Sequence, residues 1–477
     1  MNTLLNTLHQ TLNKTTTENG AVTLKSSLKH TVDFFGLGGA LRSQEVNSVI
    51  SIFSKAFAED ALVAVKTLFY LRDIRGGQGE RKTFRTCFKW LANSYPQIAI
   101  NNLKNVVEYG RWDDLFCLRD TGLWNSNVLP LIRDEWLKKD LTLFWKWMPS
   151  INTSSKETCA IAESIRKYLG LTHRVYRKTL SSKRTELKIV ERDMCSKNWQ
   201  NITYKSVPSR ASILYKDAFI RHDSERYSKF ISDVKEGKTT INASVLYPYD
   251  IVEKCLSYDE SSTLDVLWEA LPDYTNGSNE NSIVVADVSG SMSGRPMAVS
   301  ISLAMYIAER NKGAFKNNFI TFSSEPSIEK VIGNNIREKV TNLSQANWGM
   351  STNLEKVFTV ILDSAKKANV PADEMPSKVY IVSDMEFNVA CNNPSDTLFQ
   401  NIEAAYANAG YIKPELVFWN VNARNVQSPI TFNEKGACLV SGCSPAILTS
   451  LLSGEIINSE DLMLKTINNE RYNRVII

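Results

Sequence analysis

The sequence predicts an α + α/β protein: an all-α array followed by a doubly wound α/β domain. Three observations carry this. From about residue 46 to 270 apolar residues recur at steps of three and four, and beyond residue 276 short β-branched runs alternate with helical stretches. Between the two regimes lies a polar stretch, Asp273-Tyr274-Thr275-Asn276-Gly277-Ser278-Asn279-Glu280. A chain of 477 residues exceeds what one hydrophobic core usually serves, which agrees with two domains. The expected boundaries are an N-terminal extension over residues 1–30, a helical domain over 31–275 and an α/β domain over 276–477.

In the first part, Val49, Ile50, Phe53 and Phe57 mark one helix, and Leu62, Val65, Leu68 and Phe69 a second. Asp60 suits the N-cap of that second helix, and Gly76-Gly77 its stop. The pattern resumes from Phe84 to Leu91 and from Ile98 to Tyr109, then breaks at Gly110. Further helices are expected near 125–138, 157–169, 185–195, 209–220 and 223–236. Short helices joined by turns, with few alternating segments, describe a HEAT-like array of antiparallel pairs, although no strict repeat is present. In the second part, strands are expected at Ile283 to Ala286, Asn318 to Phe322, Val379 to Val382 and Leu416 to Trp419. The helices between them are expected from Pro296 to about Lys312, at 353–368 and at 397–409.

Composition excludes several classes. The chain is 43% hydrophobic and 22% charged, ordinary for a folded protein. No apolar run approaches the roughly 20 residues a membrane helix needs, and the start lacks a secretory leader pattern, so a cytoplasmic protein is expected. Eight scattered cysteines, without a C-x-x-C pair or a nearby histidine, read as free thiols. Net charge is +5 but uneven. Residues 1–275 hold 39 Lys and Arg against 31 Asp and Glu, residues 276–477 hold 17 against 20, and the block 151–240 holds 19 against 10. A basic block of this kind suits a polyanion partner; a solvated lysine-rich surface is the alternative.

In open α/β sheets, ligands bind in loops beyond the carboxyl ends of the strands. Three such loops here carry hard oxygen donors. The first strand runs into Asp287-Val288-Ser289-Gly290-Ser291, a D-x-S-x-S pattern; a second loop supplies Thr352 ahead of a helix; a third supplies Asp384. Two carboxylates and three hydroxyls make an all-oxygen site suited to Mg2+, or to Mn2+ or Ca2+, with a coordination position left for an acidic partner residue or a phosphate. The set resembles the metal-ion-dependent adhesion site of von Willebrand factor A domains, themselves doubly wound and Rossmann-like. Glu386 reads as an exposed loop residue.

The helical part has signatures of its own: Leu71-Arg72-Asp73-Ile74-Arg75-Gly76-Gly77-Gln78-Gly79-Glu80-Arg81, Tyr109-Gly110-Arg111-Trp112-Asp113-Asp114-Leu115, Lys146-Trp147-Met148-Pro149-Ser150 and Val207-Pro208-Ser209-Arg210-Ala211. With the Asp-Val-Ser-Gly-Ser-Met loop, these resemble TROVE-module proteins of the Ro ribonucleoprotein type, and more closely a relative of that group in plants, fungi and large viruses. The resemblance implies a ring of HEAT-like repeats closed by the A domain, holding small structured RNA outside and single-stranded ends in the hole. Within the basic block, Arg174, Arg177, Lys178, Lys183, Arg184 and Lys188 are candidates to neutralise RNA phosphates, and Tyr176 to stack a base. The same charges could instead pair with Glu186, Glu191 and Asp193.

Two tempting motifs fail. Residues Gly76 to Thr83 nearly spell a phosphate-binding loop, but Arg81 holds the required glycine position and the preceding segment reads as helix. Asp73, Glu80 and Asp113 are better placed to pair with Arg72, Arg75 or Arg111 as interhelical bridges. Asp113-Asp114 would be a catalytic pair only if adjacent helical residues faced each other, so capping after Gly110 is expected. With no positioned base for a nucleophile, the expectation is a non-enzymatic, Mg2+-binding ribonucleoprotein component with RNA and acidic protein partners, no membrane and no DNA sequence recognition. A metal-dependent protein-interaction scaffold, or an ATPase-partner adaptor without RNA, is the alternative.

Overall fold

Helical periodicity in the first half is realised as a succession of short helices. The computed structural model describes residues 11–257, 262–275, 280–312, 314–322, 326–344, 353–388, 397–452, 455 and 457–477. Asp60 caps the helix Ala61–Arg72 as its sequence position requires, its carboxylate accepting from the Val63 amide at 2.9 Å. The expected helix from Ile98 to Tyr109 is divided into Pro96–Asn101 and Leu103–Tyr109. At the joint, buried Asn102 turns its side chain to the Ile98 carbonyl. The stretch expected at 185–195 is also redrawn: one helix spans His173–Glu186, capped by Thr172, and a shorter one spans Val190–Cys195. Lys188 between them has φ +50°, which no helix accommodates.

The N-terminal segment forms a small antiparallel hairpin of β1 (Lys14–Thr16) and β2 (Val22–Leu24). The second half builds one sheet from β3 (Ser282–Asp287), β4 (Asn318–Phe322), β5 (Ser327–Lys330), β6 (Lys378–Ser383), β7 (Glu415–Asn420) and β8 (Ala437–Ser441). Their order is β5-β4-β3-β6-β7-β8, parallel except for the β4–β5 pair. Every residue of β3, β6 and β8 is buried, as a parallel sheet covered on both faces demands. The four expected strands are all present. Edge strand β5 and strand β8 are additional.

The two parts of the chain are interlocked. Helix His30–Gly38 packs on β8, so closely that a Cβ on Gly36 would come within 2.9 Å of the Leu439 Cβ. The helix Pro248–Leu256, near the other end of the helical part, packs against Arg295–Arg310 and Ile336–Ser344. The C-terminal residues return to the first helices: the Asn105 side chain donates to the Arg474 carbonyl at 2.8 Å, and Arg471 pairs with Asp73. The helical part thus touches the α/β part at both its ends. Among the described residues, no helix is long and apolar enough to cross a membrane, and the described cysteines are free thiols.

Candidate functional site

Strands β3 and β6 are neighbours in parallel register, Ala286 opposite Val382, so the residues that follow them emerge side by side. Asp287 closes β3, a single 3-10 turn Gly290–Met292 carries Ser291, and Asp384 follows β6. The Ser383 hydroxyl donates to Asp287 Oδ2 at 2.6 Å, the Ser289 amide to Oδ1 at 2.9 Å, and the Ser289 and Ser291 hydroxyls stand 3.0 Å apart. Four of the five predicted donors, Asp287, Ser289, Ser291 and Asp384, are therefore gathered at one edge of the sheet. Thr352 lies outside the described residues.

The cluster disfavours two ionised carboxylates at once. Burial, reinforced by the Asp384 charge, pushes the Asp287 carboxyl up to about 6, and burial also raises Asp384. Asp384 Oδ2 is a buried acceptor without a hydrogen bond. Met385, next in sequence, adopts φ +66°, a strained conformation for a side chain of its size. Among the described residues no three His, Cys, Asp or Glu side chains come together as a metal-holding group, and this set brings only two carboxylates, its other donors being hydroxyls. Hard oxygen donors around an unsatisfied carboxylate fit a divalent ion of the Mg2+ type, which would neutralise the pair and offer an electrophilic position to an anionic ligand.

Glu386 departs from its expected exposure. It is 1% exposed, and its carboxylate accepts from the Glu18 amide at 2.7 Å and from Asn425 and Gln427 at 2.9 Å each. Nothing in its local sequence signals this, because all three donors are distant in the chain.

The helical part holds a second candidate site. The four signature stretches at 71–81, 109–115, 146–150 and 207–211 converge on one cavity of about 410 Å3. The first contributes Arg72, Gly79 and Arg81, the second Arg111, the third Lys146 and Trp147, and the fourth Pro208, Arg210 and Ala211. Gly79 has φ +63°, and a Cβ there would strike the Tyr247 hydroxyl at 2.0 Å, so this wall requires glycine. A second cavity of about 580 Å3 shares Gly79, Arg81, Arg210 and Tyr247 with it and extends to Arg295, just beyond the Asp287–Ser291 loop.

Several cations around this hub serve the fold. Arg72 pairs with Asp114 at 2.7 Å in full burial, Arg85 reaches Asp113 and Asp114 at 2.9 and 2.8 Å, and Arg210 meets Asp250 at 2.7 Å. Bridges are expected here from the sequence, but with other partners: Asp113 is met by Arg85, Asp73 by Arg471 and Glu80 by Arg42, and Arg72 takes Asp114. The Arg111 amide donating to Asp114 at 2.9 Å is the expected capping role. Arg81 and Arg111 differ. Among the described residues neither has a carboxylate within 4.0 Å. Loss of hydration lowers both, Arg111 to about 10; repulsion from Arg81 and Arg72 on Arg111, and from Arg85 and Arg72 on Arg81, adds to this, and the more distant Asp113 and Asp114 oppose it in part. The Arg111 guanidinium lies over the Trp147 ring, 4.4 Å from its centroid.

The structure revises the candidates in the basic block. Tyr176 is fully buried, stacked on Trp136 at 5.3 Å and donating to the Pro149 carbonyl at 2.9 Å, so its ring is not available to a base. Arg184 spends its guanidinium on the carbonyls of Trp145 and Met148 and on the Ser150 hydroxyl, fixing the turn that carries Trp147. Lys183 pairs with Glu186 at 3.0 Å, as the intrachain alternative foresaw. Arg174, Arg177, Lys178 and Lys188 are exposed, the first three on one face of their helix. Arg81 and Arg111 were missed as cavity-lining cations because only the folded chain shows which arginines lack an ion-pair partner.

Comparison with known proteins agrees with this layout. Residues 17–119 and 130–281 match the family described as domain of unknown function DUF2828, and residues 281–475 match the one described as domain of unknown function DUF7788. The chain is 32% identical over 511 aligned positions to uncharacterized protein L728 of Acanthamoeba polyphaga mimivirus, covering 97% of this chain and 88% of that relative. Since the DUF2828 match takes in more than half of the residues, including all four stretches that line the hub, the chain belongs to the DUF2828 family.

Proposed function

We propose that this protein is a non-enzymatic RNA-binding component of a ribonucleoprotein, similar to Ro proteins, in which a ring of HEAT-like helices is closed by a von Willebrand A-type domain. The reading is carried by the convergence of four separate sequence stretches on a cavity in which Arg81 and Arg111 form no ion pair among the described residues, while Glu191 on the same walls is paired with Lys146 at 3.3 Å. Exposed Arg81 and half-buried Arg111 repel each other and are stabilised by a bound polyanion, and aromatic Trp147, Tyr215 and Tyr247 on the same walls offer stacking surfaces to unpaired bases. The A-type domain binds a divalent cation through Asp287, Ser289, Ser291, Thr352 and Asp384, and through it an acidic partner or a phosphate.

Fluorescence anisotropy with a single-stranded RNA tests the first part. Affinity should fall steeply with salt, and Arg81→Glu with Arg111→Glu should weaken binding at least tenfold across unrelated sequences. Affinity that stays flat from low to high salt would sink the proposal. Exposed Arg174, Arg177 and Lys178 provide a graded control, since their replacement should reduce the salt slope without abolishing binding.

A further inference from the structure

The N-terminal hairpin is fastened to the loop that carries Asp384 after β6 and to the loop that follows β7. The Thr17 hydroxyl donates to the Phe387 carbonyl at 2.7 Å, the Glu18 amide to Glu386 at 2.7 Å, and the Asn19 side chain to the Glu386 carbonyl at 2.6 Å. Isolated bridges join Gly20 to Asn388 and Leu24 to Ser428. The Glu18 side chain, placed by these bonds, holds Arg424 at 2.6 Å. The other side of the Arg424 guanidinium faces Asp384 Oδ2 at 3.9 Å, the same oxygen that has no hydrogen bond. Asn425 spans the arrangement, donating to Glu18 at 3.2 Å and to Glu386 at 2.9 Å.

We propose that Glu18 and Arg424 set the affinity of the Asp287–Asp384 site for a divalent cation, so that docking of the N-terminal hairpin and cation binding are thermodynamically coupled. The inference rests on the metal reading given above. A divalent ion at Asp384 meets a positive guanidinium about one ion-pair length away, and at such separations like charges oppose each other by an amount that decides binding. Glu18 is the counter-charge that keeps Arg424 on the hairpin side. When the hairpin leaves, Arg424 is free to close on Asp384 and take the cation's place. By reciprocity, a bound cation holds the hairpin down. Glu18 and Arg424 are positioning residues here, acting through Asp384.

Calorimetric titration of the full chain with Mn2+ at fixed ionic strength tests the coupling. Arg424→Gln should tighten Mn2+ binding about tenfold, Glu18→Gln should weaken it about fivefold, and the double variant should behave like Arg424→Gln alone. Both side chains are at least 36% exposed, so the variants are expected to fold. Mn2+ should also slow proteolytic cleavage within residues 11–24 in the wild type and not in Asp287→Ala. A wild type that takes up no Mn2+, or Asp287→Ala binding it equally well, overturns the metal site itself. If Mn2+ binds through Asp287 while Glu18→Gln and Arg424→Gln stay within twofold of wild type, the site stands and the coupling is refuted.

Discussion

Asp114 answers three donors at once, Arg72, Arg85 and the Arg111 amide, with no exposure to water. Removing its charge strands the buried Arg72 guanidinium, so Asp114→Asn should cost about 3–5 kcal/mol of stability, measured by chemical denaturation. Asp287 gives a test of opposite sense. Its folded carboxyl titrates near 6, above the ordinary 3.8, so in chelator the native state favours its protonated form and this contribution is present below about pH 4 and lost as pH rises through 6. Relative to Asp287→Asn, the cation-free wild type should therefore lose about 2 kcal/mol between pH 4 and 7, and Mg2+ should restore it. A wild type whose stability tracks Asp287→Asn across that window would contradict the burial of an ionised pair. At this scale the clustering of Asp287, Ser289, Ser291 and Asp384 was legible, because the ends of neighbouring strands β3 and β6 place them together. Tyr176 and Glu386 were not, since their surroundings come from residues far along the chain.

Capping and periodicity explain which elements could be read. Asp60 announced its helix, and Asp60→Ala should cost about 1 kcal/mol, seen as a lowered denaturation midpoint with an unchanged slope. The helix His173–Glu186 was misplaced because it buries only Tyr176 and Leu180, leaving too thin an apolar stripe to mark its register among so many charges. Strand β8 was overlooked for another reason: Ala437 to Ser441 is short and lacks the β-branched run that distinguished β3 and β6. The hairpin β1–β2 was passed over because three-residue strands leave no pattern, and its stability derives from the loops it clasps.

For the whole molecule, the ends of the chain are exchanged between its parts: the first described residues complete the α/β part, and the last complete the helical part. Heating should therefore give one cooperative transition for both, and removing Glu470–Ile477 should lower the midpoint of helix and sheet signals together; two separated transitions in the intact chain would refute the interlock. The helical character and the mixed sheet were foreseeable, but this exchange was not, because no local pattern encodes which distant element a tail will meet. It also constrains biosynthesis. Asp73 is fully buried against Arg471 and Tyr472, yet these partners are made 398 and 399 residues later. At about 5–20 residues per second, the carboxylate waits about 20–80 s on the ribosome before its charge is answered. During that interval the first helices are deprived of the contact that seals them, so nascent chains arrested before residue 470 should remain open to protease between the helices that the finished tail protects.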